Sequence, residues 1–530
     1  MPYLYLVTVP AAIVFLYGAL YLYRDLSSGL RDLHGPNNSN WLLGHLPKMF
    51  RTDITWTEFS FRWMQQYGPT FKYHTVFGRQ QLFTADPKAI RHILNSDHIY
   101  TKPESARYLL LQVFGRGLPV TEGDEHKTQR RVLNPAFGPS AIRGQTKIFA
   151  EYASKLRDTW LDKLSKIGAD SIEVDVVSWF GRLTLDVIGT AGFNYEFNAL
   201  KGYVSELKEA YSTMFKSWPA YRLRAFIPAF RIFPMNEGVE FVSARETLDH
   251  LGRQFLHDAQ VSASQQGEAE EKTSKARDLL SLLVRANTAS DIHASMRMSD
   301  EDVISQVPTF ILAAHETTSI GITWTLFALT QHLEVQGKLR DELVDVKTDC
   351  PTMDELNALP YLDRVVRESL RVYSPVCNTA RIADADDVIP LSRPIVDKRG
   401  VQRHEIRIKR GLNIQIPIQI MNKDPDVWGD DAKEFRPDRW IVPPEGAKTM
   451  PGVWGNQMTF LGGPHSCIGY RFALTEIKIA LFVLLRAFNF ETTLREEDLM
   501  RKDTMTQQPV LRSAPQSGSQ LPLTIRPIAR

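Results

Sequence analysis

Three cysteines, Cys350, Cys377 and Cys467, are all that 530 residues carry. That is too few for a disulfide framework once one thiol is committed elsewhere, and it points to a reducing, cytosol-facing environment. Net charge is also nearly absent. With 63 Lys and Arg against 61 Asp and Glu, the balance is +2, so no overall field argues for nucleic acid or an acidic partner. Internal repeats are lacking too. Charge is missing altogether from the first 23 residues. Tyr3 to Tyr23 is apolar and aromatic, and as a helix it would run about 30 Å, the thickness of a bilayer core. There is no basic leader and no small-x-small cleavage site, so the stretch reads as an anchor rather than a secretory signal. Arg24, Arg31, Lys48 and Arg51 follow it, and the positive-inside rule then leaves the body in the cytosol. The expected organisation is a transmembrane anchor at 1–24, a hinge at 25–45 marked by Gly35-Pro36 and Asn37 to Asn40, and one large domain at 46–530.

A hydrophobic content of 43% is enough for a large core. Helical periodicity dominates, with a minor β portion near Pro69 to Thr84, Ala380 to Ile418 and Met505 to the end, which predicts a mainly α fold with small sheets. The polar run Asp258 to Lys275 reads as a surface loop. Ser217 to Pro228 interleaves aromatics with Arg; it reads either as a second membrane contact near a substrate entrance or as a loop packed on the core.

Three stretches carry chemistry. Phe460-Leu461-Gly462-Gly463-Pro464-His465-Ser466-Cys467-Ile468-Gly469 sets a lone cysteine in a Gly-rich loop just before the helical run Tyr470 to Leu485. A thiolate there would be favoured by backbone N–H groups at a helix N-terminus. Gly463 and Gly469 would let the backbone approach a flat ligand, and Phe460 would shield the sulfur. The plain alternative is a structural cysteine. Upstream, Glu368 and Arg371 stand at i, i+3 in the helical stretch Tyr361 to Tyr373 and share a face. Between Ser299-Asp300-Glu301-Asp302, close to a capping box, and His332 runs a long apolar helix. In its middle Ala313 and Thr317 share a face and Glu316 precedes the hydroxyl, polar groups where a buried helix should be apolar. The plain alternative is threonine bonding back to the preceding turn.

Taken together and in this order, these motifs resemble the cytochrome P-450 family over roughly residues 30 to 530. The cysteine loop departs from the family pattern only at His465, where arginine is usual, and the helix at Ala314, where glycine is more frequent. The resemblance implies a haem-thiolate monooxygenase of the fungal microsomal type, with haem b held through Cys467. Thiolate ligation donates electron density that favours O–O cleavage. It further implies Phe460, His465, His126, Arg130 and Arg381 around the haem, a structural triad of Glu368, Arg371 and Arg439, and an acid–alcohol pair, Glu316 and Thr317, that relays protons and steadies oxygen chemistry. Pocket walls would come from Tyr108 to Val120, Phe215 to Phe226, Phe310, Ala313, Val376, Cys377, Asn378 and Gln507 to Leu511. No flavin domain follows, so electrons would come from a separate NADPH-cytochrome reductase, with cytochrome b5 as a further donor. The expected substrate is lipophilic and terpenoid-like, from specialised metabolism, with fatty-acid or xenobiotic hydroxylation as the alternative. Two further rivals are a reductase-independent isomerase or dehydratase, which has no need of the acid–alcohol pair, and a non-catalytic haem sensor. The expected location is the endoplasmic reticulum membrane, single-pass.

Overall fold

In the computed structural model, residues 28–38, 40–49, 51, 54–203, 210–211, 221, 224–227, 231, 239–265, 279–288 and 297–528 are described, with 18 and 23. Nearly all of the expected anchor, part of the hinge, Phe215, much of 217–228 and residues 266–275 of the expected surface loop therefore lie outside the described residues. Among the described residues no helix is long and apolar enough to cross a membrane. The chain is mainly helical, with 55% helix against 15% strand, and divides into two compact units.

The first unit comprises residues 1–103, 377–424 and 446–466. Its five-stranded sheet runs β1-β2-β8-β5-β3, with β1 at Thr70–His74, β2 at Gln80–Thr84, β3 at Tyr100–Thr101, β5 at Thr379–Ala383 and β8 at Asn413–Ile416. Every pairing is antiparallel except β2 with β8. A hairpin joins β6 (Asp387–Val396) to β7 (Gln402–Ile408). Two helices flank this β structure, α1 at Trp56–Tyr67 and α2 at Pro87–Asn95. Proline at the first turn and Asp86 as N-cap start α2, with the carboxylate accepting from Lys88 and Ala89 N–H. Asp86 also accepts from the Ser392 N–H at 2.9 Å, so one side chain starts the helix and ties it to β6.

The second unit comprises residues 104–376, 425–445 and 467–530. Its principal helices are α3 (Glu104–Phe114), α4 (Gly123–Leu133), α5 (Pro139–Ile167), α6 (Val176–Phe193), α7 (Val239–Gln265), α8 (Leu279–Thr288), α9 (Asp300–Gln331), α10 (Leu333–Val344), α11 (Pro360–Val372) and α12 (Tyr470–Leu485). A three-stranded sheet, β4-β12-β9, joins Ile172–Asp175, Pro522–Pro527 and Phe488–Glu491, and β10 (Leu499–Asp503) pairs with β11 (Gln507–Leu511). The core forms where α5 meets these strands: Trp160 is fully buried against Trp179, Phe180, Phe488 and Phe490.

Helix α9 is the unit's long axis, about 48 Å at 1.5 Å per residue. It starts with a reciprocal capping box between Ser299 and Asp302. Pro308 lies inside it and offers no N–H to Ile304. The Pro308 carbonyl in turn accepts from the buried Tyr211 hydroxyl at 2.7 Å. Residues 306–312 and 318–330 are buried, but the five residues Ala313 to Thr317 between them are each partly accessible. A helix this apolar has no reason to open a window there unless something other than protein is meant to lie against it.

Candidate functional site

Helix α12 begins at Tyr470 with Gly469 as its N-cap. Cys467 thus sits just before a turn whose first N–H groups have no helical partners. It is solvent-accessible yet deep in the second unit, so protein atoms rather than bulk water set its energetics. Burial pushes the thiol up, while the Gly469 N–H and the Arg130 guanidinium pull it back. These two influences favour a thiolate once a cation is present. Cys377 differs in being buried, and Cys350 lies on an exposed turn.

The expected haem-contact residues divide between the two units. In the second, α4 carries His126 and Arg130 one turn apart; His126 is buried, and desolvation lowers the guanidinium of Arg130 while the Cys467 thiol opposes that. In the first unit, Arg381 is buried on β5 and donates to the Ala380 carbonyl at 2.8 Å. His465 Nδ1 lies 3.2 Å from Lys102 Nζ. Lysine can only donate, so Nδ1 accepts and the ring proton rests on Nε2. Lys102 was not legible as part of the site. Phe460 is buried and packs edge-on against Trp454.

The loop glycines have a different reason from the expected one. Gly463 adopts φ +70, and a Cβ there would lie 2.3 Å from the Leu94 carbonyl oxygen. A close approach that demands glycine is therefore to the C-terminal end of α2. A Cβ at Gly469 would meet the Phe137 ring at an ordinary 3.8 Å.

Glu368, Arg371 and Arg439 come together inside the second unit, all buried. Arg371 grips the carboxylate with Nη2 to Oε1 at 2.8 Å and Nε to Oε2 at 2.9 Å. Arg439 Nε reaches Oε1 at 3.3 Å. Sequence reasoning missed three further partners: the Arg436 N–H on Oε1, the Trp440 indole N–H on Oε2, and Asp431, which pairs with Arg439. The Arg439 hydrogen bond holds the Asp431 carboxyl below its usual range.

In the α9 window the Thr317 hydroxyl donates to the Ala313 carbonyl at 2.7 Å. Thr309, Thr323 and Thr325 bond back four residues in the same way, so that habit belongs to the helix as a whole. The hydrogen of Thr317 is thereby committed, and its oxygen lone pairs remain. Glu316 is also held: Oε1 accepts from Thr506 Oγ1 at 2.7 Å and Gln508 Nε2 at 3.0 Å. Burial raises its carboxyl above the ordinary range against the pull of those two donors. Gln508 falls within the expected pocket wall Gln507 to Leu511, but neither its bond to Glu316 nor that of Thr506 carried a sequence signal, since each lies about 190 residues away. Phe310 is buried and stacks on Phe137 with centroids 5.2 Å apart. Val376 is partly accessible, Leu511 likewise, and Val510 is buried. Cys377 is buried in the first unit, where its carbonyl accepts from the Gln419 N–H at 2.9 Å.

The family model for cytochrome P-450 matches residues 33–516. The chain belongs to the cytochrome P-450 family. It is 46% identical to cytochrome P-450 monooxygenase 205 of Postia placenta, covering 94% of this chain and 93% of that one. It is 35% identical to cytochrome P-450 monooxygenase claQ of Ampulloclitocybe clavipes, over 87% and 86% of the two chains, and 32% identical to claW of the same fungus over 99% of each. It is therefore a P-450 oxidoreductase with haem iron as cofactor, using dioxygen, an organic substrate and a redox partner. The donor set of this P-450 fits that cofactor: one accessible thiol backed by an N–H group and a guanidinium, beside a helix whose burial lapses over five consecutive residues.

Proposed function

We propose that this chain is a membrane-anchored monooxygenase that inserts one oxygen atom into a lipophilic, terpenoid-like substrate. In this reading it resides in the endoplasmic reticulum membrane, the anchor is residues 1–24, and the catalytic domain is residues 46–530 in the cytosol. Its electrons come from an NADPH-dependent reductase, with cytochrome b5 as an additional donor. The observation that carries the reading is the accessible Cys467 thiol ahead of α12, where the Gly469 N–H and the Arg130 guanidinium oppose the larger upward push of burial.

Haem b, when bound, supplies reductive activation of dioxygen and transfer of one oxygen atom to a C–H or C=C bond. The chain's own residues do the rest. Cys467 would hold the iron, and His126, Arg130, Arg381 and His465 would hold the two propionates, two of them as fork-shaped guanidinium donors and two as single N–H donors. Thr317 accepts a hydrogen bond from water, because its own hydrogen is engaged by Ala313. Glu316 relays protons inward; burial brings its carboxyl toward the working pH, where such a group is most effective. Phe310, Ala313, Val376 and Cys377 shape an apolar pocket, and Glu368, Arg371 and Arg439 brace the fold.

The test is spectroscopic and then functional. Reduced, CO-treated protein should show the red-shifted Soret band of thiolate-ligated haem. Cys467→Ala should lose it, while Cys350→Ala and Cys377→Ala keep it; a retained band in Cys467→Ala refutes the assignment. NADPH-dependent oxygen uptake with reductase separates a monooxygenase from an isomerase, and a metabolite screen of membranes holding both proteins identifies the substrate class.

A further inference from the structure

The β10–β11 hairpin supplies both hydrogen bonds that Glu316 makes to described residues, one from its turn at Thr506 and one from Gln508 on β11. Thr506 Oγ1 and Gln508 Nε2 donate to the same oxygen, Oε1. The other oxygen, Oε2, has no partner among the described residues and is not among the buried unpaired atoms. A neutral carboxyl has one oxygen that only accepts and one that carries the proton. Two donors on Oε1 make it the acceptor.

We propose that Thr506 and Gln508 are positioning residues that place the acid proton of Glu316 on Oε2 and keep the group able to release it. This rests on the proton-relay reading of Glu316 given above. It makes the C-terminal hairpin part of the proton path. The hairpin is well placed for that, since its backbone is fixed independently of Glu316. The β10–β11 ladder runs from Leu499↔Leu511 to Asp503↔Gln507. The Gln507 N–H donates to the Pro375 carbonyl at 2.8 Å, and the Gln507 carbonyl accepts from the buried Trp324 indole at 2.8 Å.

The two donors oppose burial. Hydrogen bonds to a carboxylate favour its charged form, whereas desolvation disfavours it, and the carboxyl ends above its ordinary range with burial as the larger influence. Removing either donor therefore strengthens the hold on the proton. The other titratable groups nearby do not supply that counterweight. Tyr211 donates to Pro308 and is itself pushed well up by burial and by Glu316. His315 faces Thr184 on α6, and Asp503 accepts from Gln507 Nε2.

The experiment is an infrared pH titration of the full-length holoenzyme, following the C=O stretch of protonated carboxyl groups. Loss of one band in Glu316→Gln assigns it. In Thr506→Val and in Gln508→Leu the midpoint of that band should move to higher pH, and Thr506→Ser, which keeps the hydroxyl, should return it to the wild-type position. The alkaline limb of coupling, meaning product formed per NADPH, should move the same way. A midpoint unmoved in both Thr506→Val and Gln508→Leu, or equally displaced in Thr506→Ser, overturns the proposal. Either donor variant alone decides the point should the other fail to bind haem, because each removes one of two equivalent donors. If Glu316→Gln leaves coupling untouched while the band behaves as expected, the positioning stands and the relay role of Glu316 falls.

Discussion

Replacing Glu368 with alanine removes the acceptor on which five donors converge: two from Arg371, and one each from Arg439, the Arg436 N–H and the Trp440 indole. The guanidinium of Arg371 is fully buried, and without Glu368 it keeps the Ala432 and Glu434 carbonyls but loses the carboxylate that grips it through two hydrogen bonds. Arg439 is better protected, because Asp431 remains paired with it. Breaking a buried pair by deleting one partner costs about 3–5 kcal/mol, and the surviving Arg439–Asp431 contact puts Glu368→Ala nearer the lower figure. Unfolding entropy of about 2.1 cal/mol/K per residue over 530 residues gives about 1.1 kcal/mol per degree. The loss then reads as a fall in Tm of about 3–4 °C. Thermal unfolding of wild type, Glu368→Ala, Asp431→Ala and the double variant, followed by far-UV circular dichroism at matched haem loading, measures it. The double variant's loss should exceed the sum of the two single losses, since only there does Arg439 lose both carboxylates at once. A Tm within 1 °C of wild type for Glu368→Ala, a shift of roughly 1 kcal/mol or less, would refute the claim that the carboxylate is the triad's counter-charge.

Three further outcomes are expected. Thr317→Ala should keep the CO spectrum and substrate binding but release more peroxide and less product per NADPH, while Thr317→Ser stays near wild type; unchanged coupling in Thr317→Ala removes the role assigned to the hydroxyl. Glu476 on α12 is buried with both carboxyl oxygens unpaired, and burial pushes it well above its ordinary 4.5. A raised acid contributes stability below its unfolded pKa that is lost as pH rises toward the folded one, so Glu476→Gln should match wild type near pH 4 and become the more stable protein as pH rises to 7; parallel stability curves across that range contradict this. Val376→Phe should alter product distribution or the substrate-induced spin shift with the CO spectrum intact, and no change in either would place Val376 outside the pocket.

What the sequence made legible is what it encodes locally. The capping box at Ser299, the apolar run behind it and the start of α12 at Tyr470 follow from neighbours in the chain, and α9, α11 and α12 keep their expected spans to within a residue or two. The stretch around Met505 read as β, and it is the β10–β11 hairpin. Less legible were the short strands β4 and β9, because each is four residues long and acquires its partner from far away in the chain. The grip on Glu316 from Thr506 and Gln508, and that of Lys102 on His465, were invisible for the same reason. Gly463 was legible as a constrained glycine but for the wrong neighbour, since the carbonyl of Leu94 that excludes a side chain lies some 370 residues upstream. Trp440 stood in plain view within Phe435-Arg436-Pro437-Asp438-Arg439-Trp440, yet nothing in its own context announced that its indole closes the Glu368 cluster.

The β4-β12-β9 sheet has a consequence for biosynthesis. Its central strand is the last of the described strands: Pro522 pairs with Asp175, and Pro527 with Phe488. Nascent β4 must therefore wait for a partner made roughly 350 residues later, on the order of half a minute of elongation at about 5–20 residues per second. During that interval β4 offers an unpaired edge to any extended segment it meets. The closing stitch of the second unit is thus set only after Cys467 has been made, and a chain cut just before Pro522 would carry every motif and no strand to join β4 to β9.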